Sequence, residues 1–239
     1  GPPWEHRHVH VLVVEDDAAV AVPLKEGLER NGFTVDLVSY AAQVVPAVRE
    51  GSPDLVLLDL GLPDGDGIEL VKTVRGWSDT PILILSARLQ EADKIHSLDA
   101  GADDYLSKPF GVGEFMARVR ALLRRKARTG EGASPWVEFG EVRVDLSLRE
   151  VTRQGQPVHL TPIEYKLLTA LLRHPGKVVT QKSLLLEVWG PTFTESGHYL
   201  RIYVGRLRQK LESDPAQPQH FITEIGVGYR FKNEMQRWT

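Results

Sequence analysis

Leu57-Leu58-Asp59-Leu60-Gly61-Leu62-Pro63-Asp64-Gly65-Asp66-Gly67 decides how this chain of 239 residues is read. With Asp54-Leu55-Val56 before it, the stretch is a short apolar run that stops on one carboxylate. A run of that length between Pro53 and Gly61 predicts a strand covered on both faces. Gly61, Pro63, Gly65 and Gly67 then force a loop. Open parallel sheets collect ligands at the carboxyl ends of their strands, so Asp59 is placed for chemistry. Asp64-Gly65-Asp66-Gly67 faintly resembles a calcium loop. Ile68 replaces an oxygen ligand there, so the stretch is read as a turn.

Working outward, the same pattern repeats. Val9 to Val14 is a second buried run, closing on Glu15-Asp16-Asp17. A helix is expected over 18–31, with Asp17 at its N-cap and Asn31-Gly32 at its end. Pro23 should bend or shorten it. Strands are expected at 35–38, 55–58, 81–86 and 104–107. The helices between and after them should cover 41–50 (interrupted by Pro46), 68–75, 91–100 and 113–125. Alternating strands and helices predict a five-stranded parallel, doubly wound α/β sheet.

Polar groups then gather at one edge of that sheet: Glu15 and Asp16, Asp59, Ser86 and Lys108. Three crowded carboxylates repel one another, so a divalent cation is expected among them. Mg²⁺ fits best, because it takes oxygen ligands and needs only one or two carboxylates beside a phosphate. A carboxylate can attack phosphorus. Lys108 and the metal would offset charge growing on the phosphoryl oxygens, and Ser86 is placed to hydrogen-bond one of them.

Charge separates the two halves. Residues 1–124 carry a net −8, residues 125–134 a net +2 and residues 135–239 a net +3. The acidic half suits a cation and the basic half an anionic partner such as nucleic acid. There is no cysteine, which excludes disulfides, thiolate chemistry and cysteine zinc sites. No apolar run approaches the ~20 residues of a membrane span, and the start lacks the pattern of a signal peptide. Gly1-Pro2 is set aside as a scar. A cytoplasmic location is expected, with no membrane partner.

Residues 126–135 lack apolar periodicity and read as a flexible tether. Beyond them, alternating runs at 137–139, 142–145, 150–153 and 158–159 predict a small antiparallel sheet. Thr161-Pro162-Ile163-Glu164 opens a helix that should reach Arg173. Thr180 caps another running to Trp189, and a third spans 196–211. A hairpin at 221–231 follows. Three helices and a hairpin describe an α+β winged helix-turn-helix. On the third helix Leu200, Val204, Leu207 and Leu211 form a core line. His198, Tyr199, Arg201 and Tyr203 are assigned to base edges of duplex DNA. Arg206 and Arg208 are assigned to phosphates, with Lys210 nearby. Thr223 and Arg230 are the wing's candidate contacts.

Val13-Val14-Glu15-Asp16-Asp17, the Asp59 loop, Leu85-Ser86-Ala87-Arg88 and Gly101-Ala102-Asp103-Asp104-Tyr105-Leu106-Ser107-Lys108-Pro109-Phe110 resemble the receiver domain of two-component response regulators. The second half resembles the effector of their OmpR/PhoB family, most nearly a member that governs a potassium-uptake operon. The resemblance implies a flavodoxin/CheY-like receiver over 9–125, a linker over 126–135 and a DNA-binding domain over 136–232. It implies Asp59 as phosphoacceptor. Glu15, Asp16, Asp59 and the Gly61 carbonyl would hold Mg²⁺. Ser86 and Tyr105 would be the switch pair, Lys108 the phosphoryl contact, and Lys108-Pro109 a cis peptide. A sensor histidine kinase, promoter DNA, a second copy of the chain and RNA polymerase are the partners expected. Dimerisation on phosphorylation would use the face carrying Lys94, Asp99, Asp103, Asp104, Glu114, Arg118 and Arg120. A two-fold interface is self-complementary, and the expected cross-pairs are Lys94 with Glu114, Asp104 with Arg118, and Asp99 with Arg120. Many family members carry arginine beside the wing glycine. Here Glu224-Ile225 stand there, so Glu224 repels phosphate and Arg230 is the remaining basic residue.

No substrate turnover is expected beyond loss of the phosphoryl group from Asp59. A Mg²⁺-dependent phosphohydrolase would place a second aspartate two residues after its nucleophile, and Gly61 stands there instead. An RNA-binding or structural winged-helix module is the third reading.

Overall fold

In the computed structural model, residues 8–87, 89–128 and 135–233 are described, residues 125–128 by their backbone alone. Residues 1–7, Arg88, tether residues 129–134 and the last six residues lie outside the described residues. The chain divides into two units at residues 129–130.

The first unit runs β1 (His10–Val14), α1 (Ala18–Arg30), β2 (Thr34–Val38), α2 (Val44–Gly51), β3 (Leu55–Asp59), α3 (Gly67–Arg75), β4 (Ile82–Ser86), α4 (Glu91–Ala100), β5 (Asp104–Ser107) and α5 (Val112–Arg128). All strand pairings are parallel, in the order β2-β1-β3-β4-β5. The apolar runs of β1, β3 and β4 are buried along their length, as strands covered by helices on both faces must be. The strand order reverses between β1 and β3, which opens a crevice beyond their carboxyl ends.

Both helical prolines are accommodated. Helix α1 runs unbroken through Pro23 for 13 residues, so the expected shortening does not occur. The N–H that Pro23 lacks would have bonded the Ala19 carbonyl, and Ala19 is exposed, so water can take up that bond. Near Pro46 the chain first makes a 3-10 turn over Ala41–Gln43, and α2 starts afresh at Val44. Pro46 therefore falls in a first turn, where no N–H is needed. Asp64 accepts hydrogen bonds from the N–H groups of Ala41 (2.6 Å) and Ala42 (3.2 Å). This ties the loop after Asp59 to that turn. Helix α5 continues to Arg128, three residues into the segment read as a tether.

The second unit opens with an antiparallel sheet of β6 (Trp136–Phe139), β7 (Val142–Asp145), β8 (Glu150–Arg153) and β9 (Gln156–Pro157). Strand β9 lies two residues before the run at 158–159 assigned to it. Helices α6 (Pro162–Leu172), α7 (Gln181–Val188) and α8 (Gly197–Leu211) follow. Thr161 and Glu164 form the reciprocal cap expected at the start of α6. The closing hairpin, β11 (Phe221–Glu224) and β12 (Gly228–Phe231), gains a third strand, β10 (Val178–Thr180), which pairs with β12. Only glycine fits at 228, because a Cβ there would collide with the Val179 carbonyl. Leu200, Val204, Leu207 and Leu211 are all buried in the core of this unit, beside edge-on contacts of Phe139 with Phe221 and Phe231.

Candidate phosphoacceptor site and nucleic-acid interface

Glu15 follows the last residue of β1, Asp59 ends β3, Ser86 ends β4 and Lys108 follows β5. Parallel register brings all four to one edge. Carboxylate oxygens of Glu15, Asp16 and Asp59 lie within 4.8 Å of one another. The Lys108 ammonium donates to Glu15 Oε2 at 2.7 Å and to Asp59 Oδ2 at 3.2 Å. The Gly61 N–H donates to Asp59 Oδ1 at 2.9 Å. The Lys108 N–H bonds the Ser86 carbonyl, and the Lys108–Pro109 peptide is cis.

These neighbours separate the acids. Burial raises the Glu15 carboxyl; Lys108 pulls it back, but adjoining Asp59 leaves it above its ordinary range. Burial also pushes Asp59 up. The hydrogen bond it shares with Glu15, the Gly61 N–H and the Lys108 charge together outweigh that and hold Asp59 below the usual range. Burial lowers Lys108, yet Glu15 and Asp59 more than reverse it and keep the amine protonated. The pocket thus offers an ionised aspartate at a strand end, beside a cation and two further oxygen donors. Three carboxylates with one ammonium among them leave an excess of negative charge, and an all-oxygen donor set fits a hard cation such as Mg²⁺.

Ser86 and Tyr105 are both buried. The Lys94 ammonium lies over the Tyr105 ring, 4.8 Å from its centre. On the face assigned to dimerisation, the pair of Asp104 with Arg118 expected between two chains forms within one. Arg118 Nη1 donates to both Asp104 oxygens at 2.9 and 3.0 Å, and its Nη2 donates to Glu114 at 3.3 Å. Asp99 and Arg120 are exposed. Asp103 does not belong to that face. It is buried, accepts from Arg75 Nη2 and the Ile82 N–H, and ties α3 to β4.

Three of the basic residues assigned to DNA, Arg208 and Lys210 on α8 and Arg230 on β12, are bonded within their own domain. Lys210 donates to Glu164 Oε1 at 2.6 Å and to the His159 carbonyl at 3.0 Å, so it joins α8 to α6 inside the domain. Arg208 donates to the Phe221 carbonyl and to Thr223 Oγ1, holding α8 against β11. Arg230 is buried, paired with Glu224 at 2.8 Å and bonded to the Gly176 carbonyl at 2.7 Å. Sequence reading misses this because helical spacing says which way a side chain leaves its helix, not which acceptor another element brings to it. The same pair neutralises Glu224, removing the repulsion expected at the wing. His198, Tyr199, Arg201 and Arg206 remain exposed. The His198 and Tyr199 rings lie 4.3 Å apart, tilted by 33°, and Arg206 lies over Tyr203. Tyr203 itself packs edge-on against Trp189 and is half-buried. At 3.6 residues per turn, the line opposite the buried leucines passes through His198, Ile202, Gly205 and Gln209. Sequence reading missed the last three because it looked only for basic and aromatic residues.

Among the described residues no helix is long and apolar enough to cross a membrane. Residues 11–120 match the family model described as response regulator receiver domain, and residues 155–231 match that described as transcriptional regulatory protein, C terminal. Over 93% of its length this chain is 54% identical to the KDP operon transcriptional regulatory protein KdpE of Escherichia coli (strain K12), covering 98% of that protein. It is 46% identical to the transcriptional regulatory protein KdpE of Mycobacterium tuberculosis (strain ATCC 25618 / H37Rv), again over 93% of this chain and 98% of the relative. A solved CheY-like receiver domain from Methanospirillum hungatei JF-1 matches 52% of this chain and all of its own, with a TM-score of 0.50 and 25% identity. An acid-and-lysine pocket on a five-stranded parallel sheet, joined to a winged helix and matched along nearly its whole length by such regulators, places this chain in the OmpR/PhoB family of two-component, DNA-binding response regulators.

Proposed function

We propose that Asp59 accepts a phosphoryl group from a sensor histidine kinase and that this capture controls the grip of the effector domain on promoter DNA. The carrying observation is the geometry at Asp59: a carboxylate held ionised by Lys108 and the Gly61 N–H, with Glu15 and Asp16 alongside. A carboxylate oxygen attacks phosphorus, the bond from phosphorus to the donor nitrogen breaks, and the imidazole leaves. Glu15, Asp16, Asp59 and the Gly61 carbonyl are the residues that would hold Mg²⁺, which when bound offsets charge on the transferring group. Lys108, already shared between Glu15 and Asp59, is within reach of the new phosphoryl oxygens, as is the end of β4 with Ser86.

The new charge favours an inward arrangement of Ser86 and Tyr105, which shifts Lys94 and the face of α4, β5 and α5. Two chains then pair through that face, with Lys94, Asp99, Glu114 and Arg120 meeting the partner while Arg118 keeps its hold on buried Asp104 within each chain. Pairing raises affinity for repeated half-sites through effective concentration. His198, Tyr199 and Arg201 approach the base edges, and Arg206 takes a phosphate. Likeness to the KdpE proteins extends the reading to a potassium-transport operon as the target, with RNA polymerase as the neighbour at that promoter.

The test is transfer of labelled phosphate from a small phosphodonor with Mg²⁺ present. Wild-type protein should take up one label and Asp59→Asn none. Equal labelling of both would remove the assignment.

A further inference from the structure

Helix α8 carries two residues that its own domain does not explain. Ile202 is a large apolar side chain left 49% exposed, at the middle of the helix and opposite the core line of Leu200, Val204 and Leu207. Gly205, one turn further on the same side, sits in the helix interior. Glycine weakens a helix there relative to alanine. A Cβ built at Gly205 would meet nothing within 4 Å, so no packing in the domain requires its absence. An exposed isoleucine and a costly glycine, side by side on one outward face, point to something outside the chain that is apolar at one place and close at the other.

The floor of a DNA major groove has both properties. Thymine presents its 5-methyl group there, the one apolar feature among the base edges. A helix seated in that groove brings its outermost backbone close to bases and to the groove wall. We propose that Ile202 reads a thymine by contact with its 5-methyl group, and that Gly205 is the clearance that lets the helix seat deeply enough for Ile202 to reach it. This rests on the reading of α8 as a DNA-binding helix and adds to it the base that the helix centre prefers. The neighbouring groups fit such a contact. Arg201 and Arg206 flank Ile202 and are exposed, whereas Arg208 and Lys210 are tied to β11, Glu164 and His159. Charge therefore lies on the flanks of the helix and the apolar contact at its centre.

The test uses the full-length protein with Mg²⁺ and beryllofluoride, and a duplex selected from a random library. Each thymine of the selected site is replaced in turn by deoxyuracil, which lacks only the 5-methyl group. Wild-type protein should lose about fourfold in affinity at one thymine of each half-site, the value of one buried methyl-sized group. Ile202→Ala should bind the thymine and uracil duplexes equally at that position. Gly205→Ala should melt at the same or a higher temperature than wild type, yet lose most of its preference for the selected site over a scrambled one. Salt-dependent binding with indifference to every thymine-to-uracil change, or a selected site without thymine, would overturn the inference and leave DNA binding standing. Undiminished selectivity in Gly205→Ala would overturn the clearance role. Failure of the wild type to bind any duplex would instead remove the reading on which the inference rests.

Discussion

Arg118 clasps Asp104 within a single chain, with one guanidinium nitrogen 2.9 and 3.0 Å from the two carboxylate oxygens. Asp104 is almost fully buried, at 1% exposure, so this pair holds α5 against β5 before any partner arrives. Removing one member of a buried pair leaves the other charge poorly compensated. Arg118→Ala should therefore destabilise the receiver domain by about 3 kcal/mol, read as a lower denaturant midpoint. Arg118→Lys should recover only part, because a single ammonium does not reach Asp104 and Glu114 from two separate nitrogens as the guanidinium does. An unchanged midpoint in Arg118→Ala would show that the clasp contributes nothing.

Lys108 occupies the acids that would otherwise hold a cation, lying 2.7 Å from Glu15 and 3.2 Å from Asp59. Its removal should have opposite effects on two measurements. Lys108→Ala should bind Mg²⁺ more tightly, on the order of tenfold, because one competing positive charge is gone. The same variant should accept little phosphate from a small phosphodonor, since the transferred group loses its fixed cation. Calorimetric titration with Mg²⁺ and a labelling assay separate the two. Weaker Mg²⁺ binding would contradict the competition.

Salt dependence distinguishes the arginines of the effector domain. Arg201 and Arg206 are exposed, whereas Arg208 and Arg230 are bonded within the domain. Arg206→Ala should reduce the slope of log affinity against log salt by about 0.9, the value of one phosphate contact. Arg208→Ala should leave that slope unchanged and lower the melting temperature, because it releases the Phe221 carbonyl and Thr223. A slope change in Arg208→Ala with no loss of stability would reverse the assignment.

Acid should loosen the effector domain through Glu164. Burial alone would raise its carboxyl, but Lys210 and the Thr161 N–H outweigh that and lower it. A carboxyl lowered by folding adds stability above its unfolded value and loses it as pH falls through the folded one. The melting temperature should thus drop as pH falls below about 4.3, the ordinary value for glutamate. In Lys210→Met the drop should be smaller, since the group that lowers Glu164 is gone. Parallel curves for the two proteins would contradict this.

The receiver was legible because its chemistry lies where local patterns end. Runs of Val, Leu and Ile mark buried strands, and the residue after each run is the site residue. The placement of Glu15, Asp59 and Ser86 follows from that rule, whereas Lys108 comes after Ser107 at the end of the short, mixed β5 and is picked out by the family resemblance. The effector was legible as elements but less so as a surface. Leu200, Val204, Leu207 and Leu211 announce the buried side of α8 by spacing. Spacing does not reveal that Glu164, 46 residues before Lys210, receives its ammonium, or that Glu224 and Gly176 occupy Arg230. Strand β10 was hidden for a related reason. Three residues that end on a helix cap, Thr180, carry no periodicity, and they become a strand only because β12 arrives beside them.

Affinity of the full-length protein for its selected operator duplex, measured in Mg²⁺ at fixed salt with and without beryllofluoride, tests the coupling between the domains most directly. The account predicts binding at least about tenfold tighter in the activated protein, as two effector domains engage paired half-sites, and no gain in Asp59→Asn. Equal affinity in both states of the wild type would contradict it.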